Sequence, residues 1–144
     1  MTRLELVRKF KQHGYKITPQ RRAILGVIAG PISHPTAEEI YELVRERMPD
    51  TSLATVYNTL RELVTIGEAY ELILDCGVRR YELTGTKHAH LVCLQCGRIQ
   101  DLFVNWAELE SLLCPQDGFR PVRYDVTIYG YCADCASPPE GGLC

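Results

Sequence analysis

Residues 50–83, DTSLATVYNTLRELVTIGEAYELILDCGVRRYEL, decide the fold. Ser52 reads as a helix N-cap, and Leu53, Val56, Leu60, Leu63 and Val64 recur at helical spacing until Gly67 stops the run. The period then changes. EAYELIL and VRRYEL are short β-rich runs flanking the turn-forming tripeptide Asp75-Cys76-Gly77, which reads as a hairpin. A helical cluster whose last helix runs straight into a two-stranded hairpin is the plan of a winged helix, in which that helix enters the major groove of DNA.

Upstream of that stretch, the sequence predicts three more helices. Leu4, Leu6, Val7 and Phe10 lie at helical spacing within Thr2–His13, with Gly14 as the stop. Thr18 as N-cap and Pro19 at the first helical position open a second helix, closing at Gly30-Pro31. Thr36 and Glu39 form a T-x-x-E capping box for a third, whose stripe of Ala37, Ile40, Tyr41, Val44 and Met48 runs to Pro49.

Downstream, LTGTK (83–87) reads as a linker. HAHLVCL (88–94) and RIQDLF (98–103) alternate like strands, NWAELESLLC (105–114) is a short helix capped by Asn105, and RPVRYDVTIYGYC (120–132) is a longer strand. The expected architecture is α+β: a winged helix-turn-helix DNA-binding domain over residues 1–83, a small α/β domain over 88–136, and an unstructured tail over 137–144.

The net charge of −2 conceals an asymmetry. Residues 1–30 carry seven Lys or Arg against one acid, Glu5, whereas from residue 86 onward four basic residues face seven acids. Because fields are screened beyond about 8–10 Å, the front end suits phosphate and the back end does not. No apolar run approaches the roughly 20 residues of a membrane span, and the first residues lack the apolar core of a signal peptide, so a cytoplasmic protein with no membrane partner is expected.

Seven cysteines, Cys76, Cys93, Cys96, Cys114, Cys132, Cys135 and Cys144, are many for 144 residues, and the odd number argues against a closed disulfide framework. Cys93-x-x-Cys96 and Cys132-x-x-Cys135 have the spacing of a tetrahedral zinc site with ligands at about 2.3 Å. With all four positions filled by protein, such a site holds structure and does no chemistry. A redox motif or two buried thiol pairs are the alternatives, but a redox CxxC does not normally come twice with strands between. Cys76, Cys114 and Cys144 have no assigned task.

A second donor set is of a different kind. His88-x-His90 on a predicted strand places both imidazoles on one face. Asp101 lies on the neighbouring predicted strand, Glu82 closes the wing, and His34 precedes the third helix. Together these N/O donors suit Fe²⁺, Mn²⁺ or Zn²⁺; taken singly, each also reads as an ordinary surface group.

The segments ITPQRRAIL, SHPTAEEIY, SLATVYNTL, RRYEL, HAHLVCLQCGRIQD and YGYCADC, in that order, resemble the ferric uptake regulator (Fur) superfamily over roughly residues 5–135. The resemblance implies a homodimeric winged-helix repressor that binds pseudo-palindromic, AT-rich double-stranded DNA when its regulatory metal is bound. It also implies a four-cysteine structural Zn²⁺, with the smaller domain dimerising. By position, the regulatory metal, Fe²⁺ or Mn²⁺ with Zn²⁺ as an alternative, falls on His34, Glu82, His88, His90 and Asp101. Lys87 and Ala89 flank His88 where iron regulators tend to have His and Asp, and Tyr124 stands where many members place a histidine, so a third metal site is not expected. Asp101 resembles the peroxide-sensing PerR branch, in which bound Fe²⁺ reacts with peroxide and oxidises a ligand histidine. Glu82 instead matches the iron sensors, which together with zinc or manganese sensors form the alternative reading.

The fourth helix is the expected recognition helix, with Ser52, Thr55, Tyr57, Asn58 and Arg61 opposite its apolar stripe. Asn58 is suited to the adenine edge in the major groove. The resemblance implies that Tyr57 touches thymine methyls and that Lys16 reaches the minor groove, while Lys11 and Arg21 hold phosphates. A core role for Tyr57 and solvated charges is the plainer alternative. An enzyme is not expected: a metal with His and carboxylates can activate water, but G-x-S-x-G, H-E-x-x-H and phosphate-loop motifs are missing. A zinc-ribbon interaction module explains the cysteines without the helices.

Overall fold

The helices begin where their caps dictate. Thr18, Thr36 and Ser52 each accept the N–H of the residue three positions on, and Thr36 and Glu39 complete the reciprocal capping box. In the computed structural model, which describes residues 1–74, 77–112 and 124–136, these caps open α2 (Pro19–Ile28), α3 (Ala37–Arg45) and α4 (Leu53–Thr65). A second capping box, Thr2 with Glu5, opens α1 (Arg3–Gln12). At the end of α4, Gly67 adopts φ +75°, and the N–H groups of Gly67 and Glu68 return to the carbonyls of Val64 and Leu63. This left-handed stop, cheap only for glycine, turns the chain out of the helix and into β1 (Ala69–Ile73).

The chain divides into two units, Met1–Gly85 and Thr86–Cys144. In the first, the helical stripes supply one core: Leu6, Val7 and Phe10 from α1, Ile24, Leu25 and Ile28 from α2, Ala37, Ile40 and Val44 from α3, and Val56, Leu60 and Leu63 from α4. The antiparallel hairpin of β1 with β2 (Arg79–Leu83), in the register Glu71 opposite Tyr81, adds Ala69 and Tyr81. Four helices followed by this wing make the unit a winged helix. Thr59 is fully buried on the apolar side of α4; its hydroxyl donates to the Thr55 carbonyl at 2.7 Å, so burial leaves no unpaired donor.

One expected boundary moves. The third helix ends at Arg45, short of Pro49, because a residue before proline is disfavoured in the helical region and the chain leaves the helix over the preceding turn. Met48 still packs against the core from outside the helix. The fifth helix, α5, covers Trp106–Leu112 of the expected 105–114, and residues 113–114 lie outside the described residues.

The second unit is a three-stranded sheet in the order β4 (Ile99–Leu102), β3 (Ala89–Cys93), β5 (Thr127–Gly130). β3 pairs antiparallel with β4 and parallel with β5, and Ala89, Val92 and Cys93 of the central strand are its buried apolar residues among those described. α5 buries none of its residues. The tail 137–144, residues 120–123 of the expected last strand, and Cys76, Cys114 and Cys144 lie outside the described residues. No helix among the described residues is long and apolar enough to cross a membrane.

Leu60 is fully buried among the helices of the first unit. Leu60→Ala should lower its unfolding free energy by about 2–5 kcal/mol in a urea titration, and a loss under about 1 kcal/mol would contradict this core.

Candidate functional site

Parallel pairing of β3 with β5 sets Cys93 opposite Gly130, so both CxxC pairs leave the sheet at the same end. The four sulfurs of Cys93, Cys96, Cys132 and Cys135 lie within 4.8 Å of one another, and Cys96 Sγ is 3.7 Å from Cys132 Sγ. Four ligands at about 2.3 Å from a tetrahedral centre stand about 3.8 Å apart, so the cluster fits zinc. Gly97, at φ +70°, closes the first knuckle by donating to the Cys93 carbonyl at 2.9 Å, and Cys135 N–H donates to the Cys132 carbonyl at 2.9 Å in the second. Arg98 and Asp134 join the two knuckles at 2.7 Å.

Backbone N–H groups prepare the cluster for a cation. Donation from Cys132, then from Cys96 and Gln95, holds the Cys93 thiol down at about 6. Cys135, hydrogen-bonded to Cys132 and Cys96, is pushed up to about 12. The backbone donors on Cys93 favour its thiolate, the form that binds a metal.

The nitrogen and oxygen donors fall in both units. In the first, His34 is 4% exposed and its Nε2 lies 3.4 Å from Glu82 Oε2 on β2. Ser33 Oγ lies 2.8 Å from His34 Nδ1, so the buried Nε2 is the nitrogen turned toward Glu82. In the second unit, the His88 Nδ1 sits 2.8 Å from the Thr86 carbonyl, so it carries the proton there and Nε2 faces Asp101 at 3.5 Å. His90, buried on β3 and in register with Asp101 on β4, stacks edge-on with His88 at 4.7 Å between ring centres. The sequence-predicted residues thus gather as His34 with Glu82, and as His88 with His90 and Asp101. Both pairings aim an imidazole Nε2 at a carboxylate, the donor chemistry of an exchangeable divalent metal.

Beside His88 the chain has a different cluster. The Lys87 ammonium sits 4.5 Å from the ring centre of Trp106 and 3.3 Å from that of Tyr124, and 3.5 Å from Glu110 Oε1. Tyr124 donates to Glu110, and Trp106 Nε1 donates to the Lys87 carbonyl at 2.9 Å. The two departures noted in the sequence, Lys87 and Tyr124, belong to one cation–π group.

At and along α4, the expected recognition helix, Ser52, Asn58 and Arg61 are exposed and Thr55 is half-buried under the Ser52 cap. Tyr57 packs partly against the core, yet its hydroxyl reaches out to donate to Glu38 of α3 at 2.6 Å, which holds the Glu38 carboxyl below its ordinary range. Lys11 and Lys16 are exposed. Arg21 is committed: it donates to the Lys16 carbonyl at 2.8 Å and to Glu62 of α4 at 2.5 Å, so its expected phosphate contact competes with an internal ion pair. Sequence reasoning missed Glu38, Ser33 and Arg80 as partners of site residues; the neighbouring arginine in RRYEL was the available signal for the last.

The family model described as ferric uptake regulator family matches residues 12–129. The chain is 35% identical over 133 residues to the peroxide operon regulator of Bacillus subtilis (strain 168), covering 92% of each. It is 36% identical over 132 residues to the peroxide-responsive repressor PerR of Staphylococcus aureus (strain USA300), covering 91% of this chain and 89% of that one. The solved structure of the Helicobacter pylori ferric uptake regulator Fur, which has three functional metal binding sites, gives a TM-score of 0.82 at 24% identity over 94% of each chain, a likeness of fold.

The zinc cluster makes a direct prediction. Elemental analysis of wild-type protein should give about one tightly held zinc per chain, and Cys96→Ser should lose it together with the amide-exchange protection of β3 and β5. Full protection in a zinc-free variant would show that the thiols do not staple the sheet.

Proposed function

The chain belongs to the ferric uptake regulator family, and from that membership we propose that it is a metal-dependent, peroxide-responsive transcription repressor of the PerR kind. The observation that carries this reading is the presence of two chemically distinct donor sets. Four thiols fit a closed, structural Zn²⁺, whereas His34, Glu82, His88, His90 and Asp101 offer the nitrogen and oxygen ligands of an exchangeable Fe²⁺ or Mn²⁺. The peroxide-regulator names of relatives at 35% and 36% identity favour peroxide as the signal over iron itself. Glu82 favours the iron-responsive alternative.

Residues 1–83 act as the DNA-binding domain and 88–136 as the dimerisation and metal-sensing domain, in the cytoplasm. A homodimer presents two copies of α4 to a pseudo-palindromic, AT-rich operator, one per half-site. Phe103, Ile128 and Tyr131, large and exposed on the second unit, supply apolar surface of the kind a partner subunit covers. Asn58 reads base edges, Tyr57 offers its ring to thymine methyls, and Ser52, Thr55 and Arg61 bond to the backbone alongside it. Lys11 holds phosphate and Lys16 enters the narrow minor groove of an AT tract. Arg21 acts first by bracing α2 against α4 through Glu62.

Ferrous iron bound at the histidine-carboxylate set supplies the redox chemistry by which peroxide oxidises a ligand histidine. On this reading one oxygen would add to His34 or His90, both of which are buried. A ring so altered would be a poorer ligand, and loss of the metal would release the operator.

Gel shifts on an AT-rich palindrome test the reading. Binding should require Mn²⁺ or Fe²⁺, and peroxide should abolish it only in the iron form, with one added oxygen on the His34 or His90 peptide by mass spectrometry. Iron-form binding and mass that ignore peroxide would leave the iron-responsive alternative. Asn58→Ala should lose ~1–3 kcal/mol of sequence discrimination, whereas Lys11→Ala should weaken all duplexes alike and lower the salt slope by about 1.

A further inference from the structure

Three consecutive residues of β2 reach the loop that carries His34. Arg80 Nη1 donates to the His34 carbonyl at 2.8 Å and lies 3.3 Å from Glu39 Oε2; the Tyr81 N–H donates to the Pro35 carbonyl at 2.9 Å; Glu82 faces the His34 ring. His34 has φ +47°, the one positive value among the described non-glycine residues. That region is uncommon for a residue with a Cβ and persists only where the surroundings over-determine it.

We propose that Arg80 is a positioning residue for the regulatory metal, fixing the left-handed backbone of His34 so that its Nε2 stays aimed at Glu82. The proposal rests on the reading of His34 and Glu82 as ligands. Without the guanidinium on its carbonyl, His34 can relax toward the ordinary helical or extended regions, and its ring swings with the backbone. Through Glu39 the same guanidinium ties the loop to the first turn of α3, next to Glu38, which holds Tyr57 of the recognition helix. The fold does not need this contact: the Thr36–Glu39 capping box and the Tyr81–Pro35 backbone bond hold the loop to α3 and β2 without it.

Charge and positioning predict opposite signs. A cation near a divalent ion repels it, so on Coulomb grounds alone removing Arg80 should tighten metal binding. Positioning predicts the reverse.

The test is a calorimetric Mn²⁺ titration of the zinc-loaded, full-length protein, with zinc content and urea midpoint measured on each variant to verify the fold. Arg80→Met should raise the Mn²⁺ Kd about 10–100-fold, the usual effect of losing a partner that orients a ligand. Arg80→Lys, which keeps the charge but not the fork, should fall between. In a His34→Ala background Arg80→Met should add less than about 3-fold, because the two act through one ring. Unchanged or tighter binding in Arg80→Met, or an effect of the same size with and without His34, would overturn the proposal. Should His34→Ala itself leave Mn²⁺ binding unchanged, the ligand reading fails first; an intact His34 effect with an indifferent Arg80 fails Arg80 alone.

Discussion

Parallel pairing of β3 with β5 is the constraint on which the second unit depends. Antiparallel pairing would put Cys93 and Cys132 at opposite ends of the two strands, and no ion could join them. Running the strands the same way puts both knuckles at one end, where four sulfurs meet. The buried apolar residues described in this unit are few, so the free energy of metal binding does here what a larger core does elsewhere. The same central strand carries His90, one residue after Ala89 and three before Cys93. Stapling one end of β3 therefore also steadies the histidine near its other end.

The first unit is built on a different economy. Its amphipathic helices bury a continuous apolar core, and the exposed residues of α4 include the polar Asn58 and Arg61. Tyr57 spans both worlds, with its ring against the core and its hydroxyl on Glu38. The burial and the hydrogen bond fix the ring, so its exposed part is preorganised and any contact it makes costs little entropy. Lys9 with Glu68 and Arg21 with Glu62 brace α1 and α2 against α4 and the turn that follows it.

Features encoded by neighbours in the chain were legible. The T-x-x-E box at Thr36, Pro19 after its Thr18 cap, and the glycine stop at Gly67 each act within one helical turn, so spacing alone places them. The paired CxxC motifs declared the zinc cluster for the same reason: each pair is one knuckle. What stayed hidden was long-range. Arg21 and Glu62 are 41 residues apart and Arg80 and His34 are 46 apart, and nothing in either local segment says that an arginine is already spoken for. The early end of α3 was written in Pro49, whose restriction acts backward onto a stripe that otherwise continues to Met48.

Lys87, held over Trp106 and Tyr124 with Glu110 alongside, brings a positive charge that the chain carries with it. A tethered ammonium is present at the same occupancy whatever the concentration of free ions, and no chelator strips it. The loop between the linker and the first strand of the sheet is thereby anchored at a fixed setting.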